Sequence, residues 1–205
     1  MMRTNHPLGK WIAVAFAMVG LIVLPGCTVK VNKGANGEEK KVDIETPVGG
    51  IHVNNGADAR DTGLPVYPGA KEKSESKDGE EKNANVNISA GNFGLKVVAI
   101  EFVTDDPPDK VAAYYRDQLK HFGNILECHT SNRHGDAGNV GVHKGGDKNS
   151  SGQLSCEHDS GNTLELKVGT KQDQHIVAIS SQDNGKGTDF ALVFVQTHGG
   201  DRDTI

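Results

Sequence analysis

The sequence predicts an α+β fold, in which an antiparallel sheet carries one main packed helix and is preceded by a disordered tether. Two observations lead to this prediction. Most apolar residues beyond position 83 occur in short alternating runs separated by Gly, Asn and Asp, which is typical of β-strands joined by turns. One segment, 107–122, instead repeats its apolar residues at helical spacing.

The first 26 residues have the layout of a signal peptide. Arg3 and Lys10 precede an uncharged apolar run at 11–24, which Pro25 and Gly26 end. A transmembrane helix needs about 20 apolar residues, so this run is short for a membrane span. We therefore predict that the segment is removed from the mature protein.

The four residues Leu24-Pro25-Gly26-Cys27 resemble the lipobox of bacterial lipoproteins. In that family the cysteine receives a diacylglycerol and becomes the first residue of the mature protein. The resemblance implies attachment to a membrane through lipid on Cys27. It also implies a location in the bacterial cell envelope, on the outer membrane or a periplasmic face. A protein that carries two or more acyl chains is anchored stably, whereas one chain holds it reversibly.

The chain is mildly acidic, with 22 Lys and Arg against 27 Asp and Glu and a formal net charge of −5. Because the leader carries two basic and no acidic residues, its removal would change this charge from −5 to −7. An acidic surface without a Lys/Arg cluster argues against nucleic acid as a partner.

The segment 27–41 is polar, charged and glycine-bearing, which predicts a flexible tether that holds a domain clear of the lipid surface. The next segment, 42–63, alternates apolar and polar residues around Gly49-Gly50 and then becomes polar. This pattern predicts a small β-hairpin followed by a linker.

The α+β domain is predicted to span 64–198, and residues 199–205 to form a polar tail. The domain begins with an extended segment in which Pro65 and Pro68 fix the backbone. A long polar segment at 131–152 is predicted to be either a mobile or a functional loop. The strands are predicted at 84–89, 95–104, 125–130, 154–157, 163–170, 175–181 and 189–197.

The helix is predicted to span 107–122. Asp106 at the cap, Pro107 at the first helical position and Asp109 in the first turn are typical of a helix start. Gly123 is predicted to cap the C-terminal end. One stripe of the helix is predicted to pack on the sheet, formed by Val111, Ala112, Tyr115, Leu119 and Phe122.

Two of these segments resemble a pattern in uncharacterised bacterial envelope proteins. The extended segment at 64–70 contains Tyr-Pro-Gly-Ala, and the helix carries Tyr-Tyr-Arg at 114–116. The resemblance covers about residues 42–197. Its motifs are structural, so it bears on the fold and implies no particular activity.

The chain has three cysteines. With Cys27 lipidated, Cys128 and Cys156 remain as a pair in a compartment that permits oxidation, and we predict a disulfide between them. This bond would close the base of the polar loop at 131–152.

A metal site is the alternative interpretation of the same region. Imidazole and thiolate are ligands that zinc and copper prefer. The spacing matches no known zinc-finger or catalytic signature, and neighbouring residues of a strand point to opposite faces. Four histidines lie near the two cysteines in sequence: His129, His134, His143 and His158.

The sequence has no Gly-x-Ser-x-Gly or His-Glu-x-x-His motif. We therefore predict a lipid-anchored cell-envelope protein that acts as a non-catalytic binding or assembly module and needs no cofactor. Its predicted partners are the membrane, through Cys27, and an envelope protein or a glycan. A periplasmic metal-binding protein that uses the His/Cys-rich region 128–158 is the first alternative, and an unrecognised hydrolase is the second.

Overall fold

The computed structural model describes residues 27–32, 41–54, 56–73, 83–131, 152–156, 160–182 and 185–199. Within these ranges the chain forms one α-helix, α1, at Pro108–Leu119, and 3-10 turns at Ala59–Thr62 and Lys120–Phe122. The strands of these residues are β1 Thr28–Asn32, β2 Lys41–Thr46, β3 Gly49–Asn54, β4 Lys71–Glu72, β5 Ala84–Ala90, β6 Phe93–Thr104, β7 Leu126–Thr130, β8 Thr163–Thr170, β9 Asp173–Ser181 and β10 Thr188–His198.

All of these strands belong to one antiparallel sheet. Its order is β1-β2-β3-β5-β6-β10-β9-β8-β7, and β4 pairs with β6 beyond the end of β5. The chain crosses from β6 through α1 to β7, and the meander β7–β10 then returns β10 to lie beside β6. Among the described residues, β1 and β7 are the open edges of the sheet. The sheet therefore dominates the fold more than in a balanced α+β protein.

Most of the predicted strands are confirmed, with small shifts at their ends. The hairpin predicted within 42–63 is formed by β2 and β3, and its turn lies at Pro47 and Val48 rather than at Gly49-Gly50. The strand predicted at 154–157 is wrong for residues 154–156, which form no regular secondary structure. This short segment is joined to β7 by the Cys156 disulfide instead of by backbone hydrogen bonds.

The segment predicted as a tether, 27–41, differs from that prediction because it contains β1. β1 pairs with β2, which places Val29 opposite Ile44 and Val31 opposite Val42. The two valines alternate with polar residues, which is a strand pattern within an otherwise polar segment. β3 pairs in turn with β5, so the small hairpin is part of the main sheet.

Several predictions concern residues outside the described ranges and stay predictions. They are the signal peptide at 1–26, residues 33–40 of the tether, residues 132–151 of the polar loop and residues 200–205 of the tail.

The helix α1 begins one residue later than predicted. Pro107 is its N-cap residue and Pro108 begins the first turn. The predicted capping residue, Asp106, instead accepts hydrogen bonds from the Lys110 ammonium at 2.9 Å and the Tyr67 hydroxyl at 2.8 Å. These two donors hold the pKa of Asp106 below its ordinary value. The carboxylate therefore serves a tertiary contact and not the helix end.

The predicted apolar stripe of α1 packs on one face of the sheet, except for its last member. Phe122 lies beyond α1 in a 3-10 turn and is exposed, with its ring 4.1 Å from the His175 ring. The other four members of the stripe are buried: Val111, Ala112, Tyr115 and Leu119. The sheet residues of the same core are Val98, Ile100, Phe102, Leu166, Val168, Val177, Ile179, Phe190 and Leu192.

The central strands are apolar on the face away from α1 as well. This second cluster consists of Ile176, Ala178, Ala191, Val193 and Val195. On the same face of β8, Lys167 Nζ lies 2.8 Å from a carboxylate oxygen of Glu165, and both side chains are buried. Each of these side chains depends on the other, because removing one partner of a buried ion pair costs on the order of 3–5 kcal/mol.

The side chain of Tyr115 ties the extended segment before β4 to α1. Its hydroxyl accepts a hydrogen bond from the Tyr67 backbone N–H at 3.0 Å and donates one to the Pro65 carbonyl at 3.2 Å. Burial raises the pKa of this phenol, so the hydroxyl keeps the proton that it donates. The rings of Tyr114 and Phe190 lie 5.0 and 5.6 Å from that of Tyr115. The Tyr-Pro-Gly-Ala segment and the Tyr-Tyr-Arg helix are therefore in direct contact.

The predicted disulfide is present between Cys128 of β7 and Cys156, which are 28 positions apart in sequence. Cys128 is buried and lies opposite Glu165 in the β7–β8 ladder, on the face away from α1. Closing a loop of this length removes about 3–4 kcal/mol of conformational entropy from the unfolded state at 25 °C.

We expect Tyr115→Phe to lower the free energy of unfolding by about 1–3 kcal/mol, because it leaves the buried Tyr67 N–H without an acceptor. Urea denaturation followed by circular dichroism measures the change. The matched control is Tyr114→Phe, which keeps the ring contacts of a neighbouring, half-buried tyrosine and is expected to cost less. Equal losses in the two variants would contradict the role of the Tyr115 hydroxyl.

Reduction of the disulfide is expected to lower the melting temperature of the protein, because the unfolded chain regains the entropy of an open loop. Calorimetry with and without a reductant measures the shift. A Cys128→Ala/Cys156→Ala variant is the control and should not respond to the reductant. If the wild-type protein melts at the same temperature in both buffers, the bond contributes no stability.

Candidate functional site

A cleft of about 330 Å³ lies between the N-terminal part of α1 and the strands β7, β8 and β9. This volume is at the lower end of the range of about 300–1,000 Å³ that small-ligand sites cover. We call it the α1–β7 cleft. Its lining consists of Pro108, Asp109, Ala112, Arg116, Glu127, His129, Asn162, Leu164, Ile179, Ser180 and Ser181.

The edge position of β7 brings two of these side chains to the cleft. Glu127 and His129 alternate onto the side of the sheet that carries α1, and β7 is the last strand of the sheet among the described residues. Gly161 then brings the chain close to the β7 backbone, since an added Cβ would lie 2.1 Å from the Thr130 carbonyl oxygen. This close approach places Asn162 at the cleft.

Arg116 of α1 and Glu127 of β7 form a bidentate ion pair across the cleft. The Arg116 Nε and Nη2 atoms donate to the two carboxylate oxygens of Glu127 at 2.7 and 2.9 Å. The side chains remain partly exposed, at 39% and 42% of their areas. The hydrogen bonds from Arg116 lower the pKa of Glu127, and the same contact raises the pKa of Arg116. Both groups therefore stay charged and neutralise each other near neutral pH.

The remaining lining carries one further acidic side chain, Asp109, and is otherwise polar or apolar. Ser181 and Asn162 contribute a hydroxyl and an amide, which donate and accept hydrogen bonds. Because Glu127 neutralises Arg116, no excess positive charge from this pair is left to attract an anion. Apolar surface comes from Pro108, Ala112, Leu164 and Ile179. The arrangement suits a neutral polar ligand with some apolar surface.

Of the predicted metal ligands, only His129 lies among the described residues, where it is exposed and lines the cleft. The sulfur atoms of Cys128 and Cys156 are bonded to each other, so neither is a thiolate ligand. In the described ranges, no three His, Cys, Asp or Glu side chains are grouped so as to hold a metal ion. His134, His143 and His158 lie outside those ranges. A metal site that uses them stays a prediction.

Cys27, the predicted lipidation site, is exposed and directly precedes β1. In the part of the chain that the structure describes, none of the helices has the length and apolar content that a membrane crossing requires.

Several residues of the cleft were not singled out by sequence reasoning. Glu127, Asn162 and Ser181 lie in segments that read only as strand or turn. They meet because β7, β8 and β9 are neighbours and α1 crosses them, and no local pattern specifies that arrangement. The one signal was a charged residue, Arg116, on the helix beside the predicted apolar stripe.

We expect Glu127→Gln to lower the free energy of unfolding at pH 7 by less than about 1 kcal/mol, the usual scale for a partly exposed ion pair. Because Arg116 lowers the folded-state pKa of Glu127 from 4.5, the contribution of the carboxylate is complete above that pH. It is lost as the pH falls through the lowered pKa, so the difference between wild type and variant should vanish in acid.

Urea denaturation at pH 7 and at a series of values below 4.5 measures this convergence. Asp117→Asn is the control, because Asp117 contacts Lys120 at 3.3 Å on the exposed surface of α1, away from the cleft. A difference between wild type and Glu127→Gln that persists to the lowest pH would show that the loss has a cause other than the ion pair.

No protein-family model, no curated protein and no solved structure matches the chain. The resemblances to bacterial lipoproteins and to the Tyr-Pro-Gly-Ala envelope proteins therefore rest on sequence motifs, and the function has to be derived from the geometry of this chain.

Proposed function

We propose that the protein is a lipid-anchored protein of the bacterial cell envelope and a non-catalytic binding module, whose α1–β7 cleft takes a neutral glycan. The lining of the cleft is the observation that carries this proposal. A self-neutralised pair, Arg116 and Glu127, lies there beside hydroxyl, amide and apolar side chains, and the carboxylate of Asp109 disfavours an anionic ligand. Sugars present hydroxyl groups and apolar ring faces, which such a mixed lining matches.

The lipid anchor rests on the leader and on Cys27. A basic start, an apolar run and a lipobox-like end precede this cysteine. Its exposed position directly before β1 leaves it accessible to an acyl-transfer enzyme. The odd number of cysteines fits the same assignment, because Cys128 and Cys156 are paired with each other.

The charge state of Glu127 argues against a general-acid role for this residue. A carboxylic acid that donates a proton near neutral pH needs a raised pKa. The hydrogen bonds from Arg116 have the opposite effect on Glu127 and lower its pKa. The same bonds hold both side chains in one geometry, which makes the cleft a preorganised surface for a ligand.

Fractionation of cells that produce the full chain tests the anchor. We expect the wild-type protein in the membrane fraction with a mass increase on Cys27, and the Cys27→Ser variant in the soluble envelope fraction without it. Cys128→Ala/Cys156→Ala is the matched control and should stay in the membrane fraction. A Cys27→Ser variant that is still processed and membrane-bound would overturn the lipoprotein assignment.

Calorimetric titration with a panel of neutral oligosaccharides tests the cleft in the same preparation. Ser181→Trp places a large ring in the cleft and is expected to weaken binding about tenfold or more, because it fills the space of the ligand. Asn92→Trp, at an exposed turn between β5 and β6, is the control and should bind like wild type. Absence of binding to the whole panel, or equal binding by both variants, would show that the cleft is not a glycan site.

A further inference from the structure

The strands at the N-terminal end of the sheet have two chemically different faces. We call this part the wing and define it as β1, β2, β3, β5 and residues 93–98 of β6. Val98 at the end of the wing packs in the core under α1, whereas Val97 packs in the second cluster on the opposite face. Residues paired across a ladder share a face, so the register assigns each wing residue to the α1 side or to the far side.

The far side of the wing is apolar across all of its strands. One cross-strand row consists of Val31, Val42, Val53, Val86 and Val97, and it continues to Val195 of β10. A second row beside it consists of Val29, Ile44, Ile51, Ile88 and Leu95. Together the rows make a continuous aliphatic surface.

The α1 side of the wing is polar in the same positions. One row there consists of Lys30, Asp43, His52, Asn87 and Lys96. Within it, the His52 ring lies 2.9 Å from the Asp43 carboxylate and 3.3 Å from that of Glu45. The wing is therefore an amphipathic sheet, with water on one side and an aliphatic surface on the other.

The aliphatic surface becomes more exposed toward the edge of the sheet. Val195 is 1% exposed, the middle members of its row are half-buried, and Val31 at the edge is 54% exposed. In the neighbouring row Val29 is 59% exposed and Ile51 is 37% exposed. Large apolar side chains that are exposed side by side mark a surface that contacts another apolar phase.

The position of Cys27 identifies that phase. Cys27 directly precedes β1, and continuing the alternation of the strand by one residue would place it on the same side as Val29, the aliphatic side. Two residues of extended chain span only about 7 Å. A lipid on Cys27 would thus hold the exposed end of this surface at the bilayer, where a covalent link makes even a weak contact effective.

We propose that the aliphatic side of the wing lies on the membrane leaflet that holds the lipid of Cys27. This proposal rests on the lipid anchor of the proposed function and adds a second contact with the same membrane. The aliphatic side contacts the acyl and interfacial region of the leaflet. This region accommodates apolar side chains, and binding to it does not require a basic protein surface.

A second copy of the chain, paired through its own β1 edge, fits the exposed end less well than the membrane does. An antiparallel pair of β1 strands centred on the middle of the strand would place Lys30 opposite its own copy, and like charges directly opposed in a ladder are destabilising. A lysine in the middle of an edge strand is also a common guard against such pairing. The apolar side chains need a partner that does not extend the sheet.

The sequence offers a clean fluorescence test, because its one tryptophan, Trp11, lies in the leader. Single-tryptophan variants of the mature lipidated protein are purified from membranes and reconstituted into vesicles that contain lipid brominated in its acyl chains. Val31→Trp and Ile51→Trp report on the aliphatic side. Lys30→Trp, on the same strand as Val31 but on the polar side, is the matched control.

We expect the bromine atoms to quench Val31→Trp and Ile51→Trp, and to leave Lys30→Trp almost unquenched. Ile51→Trp shows whether quenching depends on the face of the sheet or on the distance from the anchor. Ile51 lies two strands from the anchored edge but on the aliphatic side, whereas Lys30 lies only three residues from Cys27 but on the polar side. Unquenched emission from Ile51→Trp, or equal quenching of both faces, overturns the proposal. A blue-shifted but unquenched Ile51→Trp in a protein that sediments as a dimer overturns it in favour of a second copy.

The two proposals fail in distinguishable ways. Mass spectrometry of the same preparations shows whether Cys27 carries lipid, and a protein without it defeats the anchor itself. A lipidated and membrane-bound protein without quenching defeats only the wing contact. Circular dichroism of each variant confirms the fold, and two independent aliphatic positions keep the test valid if one substitution unfolds the wing.

Discussion

The two hydrogen bonds of the buried Tyr115 hydroxyl are the contact on which the arrangement of the α1 side depends. The segment before β4 has no ladder of its own there, so its backbone groups need a side chain to pair with. Tyr115 supplies both a donor and an acceptor to it. The Tyr67 side chain then packs against Phe190 and reaches Asp106, whose backbone carbonyl accepts from Thr188 at 2.6 Å. The phenols of Tyr115 and Tyr67 thus link α1, the extended segment and the start of β10.

The apolar pattern of the strands changes across the sheet, because the central strands are buried on both faces and the wing strands are not. In β9 and β10 both alternating sets of residues are buried, so these strands read as nearly continuous apolar runs. The strands β1, β2, β3 and β5 of the wing are apolar on one side only, and their sequences alternate between apolar and polar residues. The helix α1 packs on the core at one face of the sheet. On the opposite face, the aliphatic surface continues from the buried cluster at the centre to the exposed edge at β1.

The parts of the fold that local periodicity encodes were predictable. The stripe of α1 and the strands from 84 to 104 and from 163 to 197 follow from residue spacing over a few positions. Phe122 has the helical spacing of the stripe but is exposed, because the chain forms a 3-10 turn at Lys120–Phe122 instead of continuing as an α-helix. β1 was not predicted, because the polar, glycine-bearing composition of 27–41 indicates a tether and the alternation of Val29 and Val31 covers only two apolar residues.

The candidate site was less predictable than the fold, since it depends on contacts between residues distant in sequence. Cys128 and Cys156 could be paired by elimination, as redox compartment and cysteine count leave few choices. The Arg116–Glu127 pair depends on α1 crossing the edge strand, and a helix residue has many possible charged partners in a chain with 27 acidic residues. The valine row is likewise a property of register, which emerges only once five ladders are aligned.

The proposed anchor and the proposed glycan site lie at opposite edges of the sheet. Cys27 precedes β1 at one edge of the sheet, and the cleft lies at β7, the opposite edge. At about 4.8 Å between strands, the nine strands of this order place the edges up to about 38 Å apart. The cleft also lies on the α1 side, whereas the aliphatic surface of the wing lies on the other. In the proposed arrangement, with the wing on the leaflet, the cleft would face away from the membrane and would need no long tether to expose it.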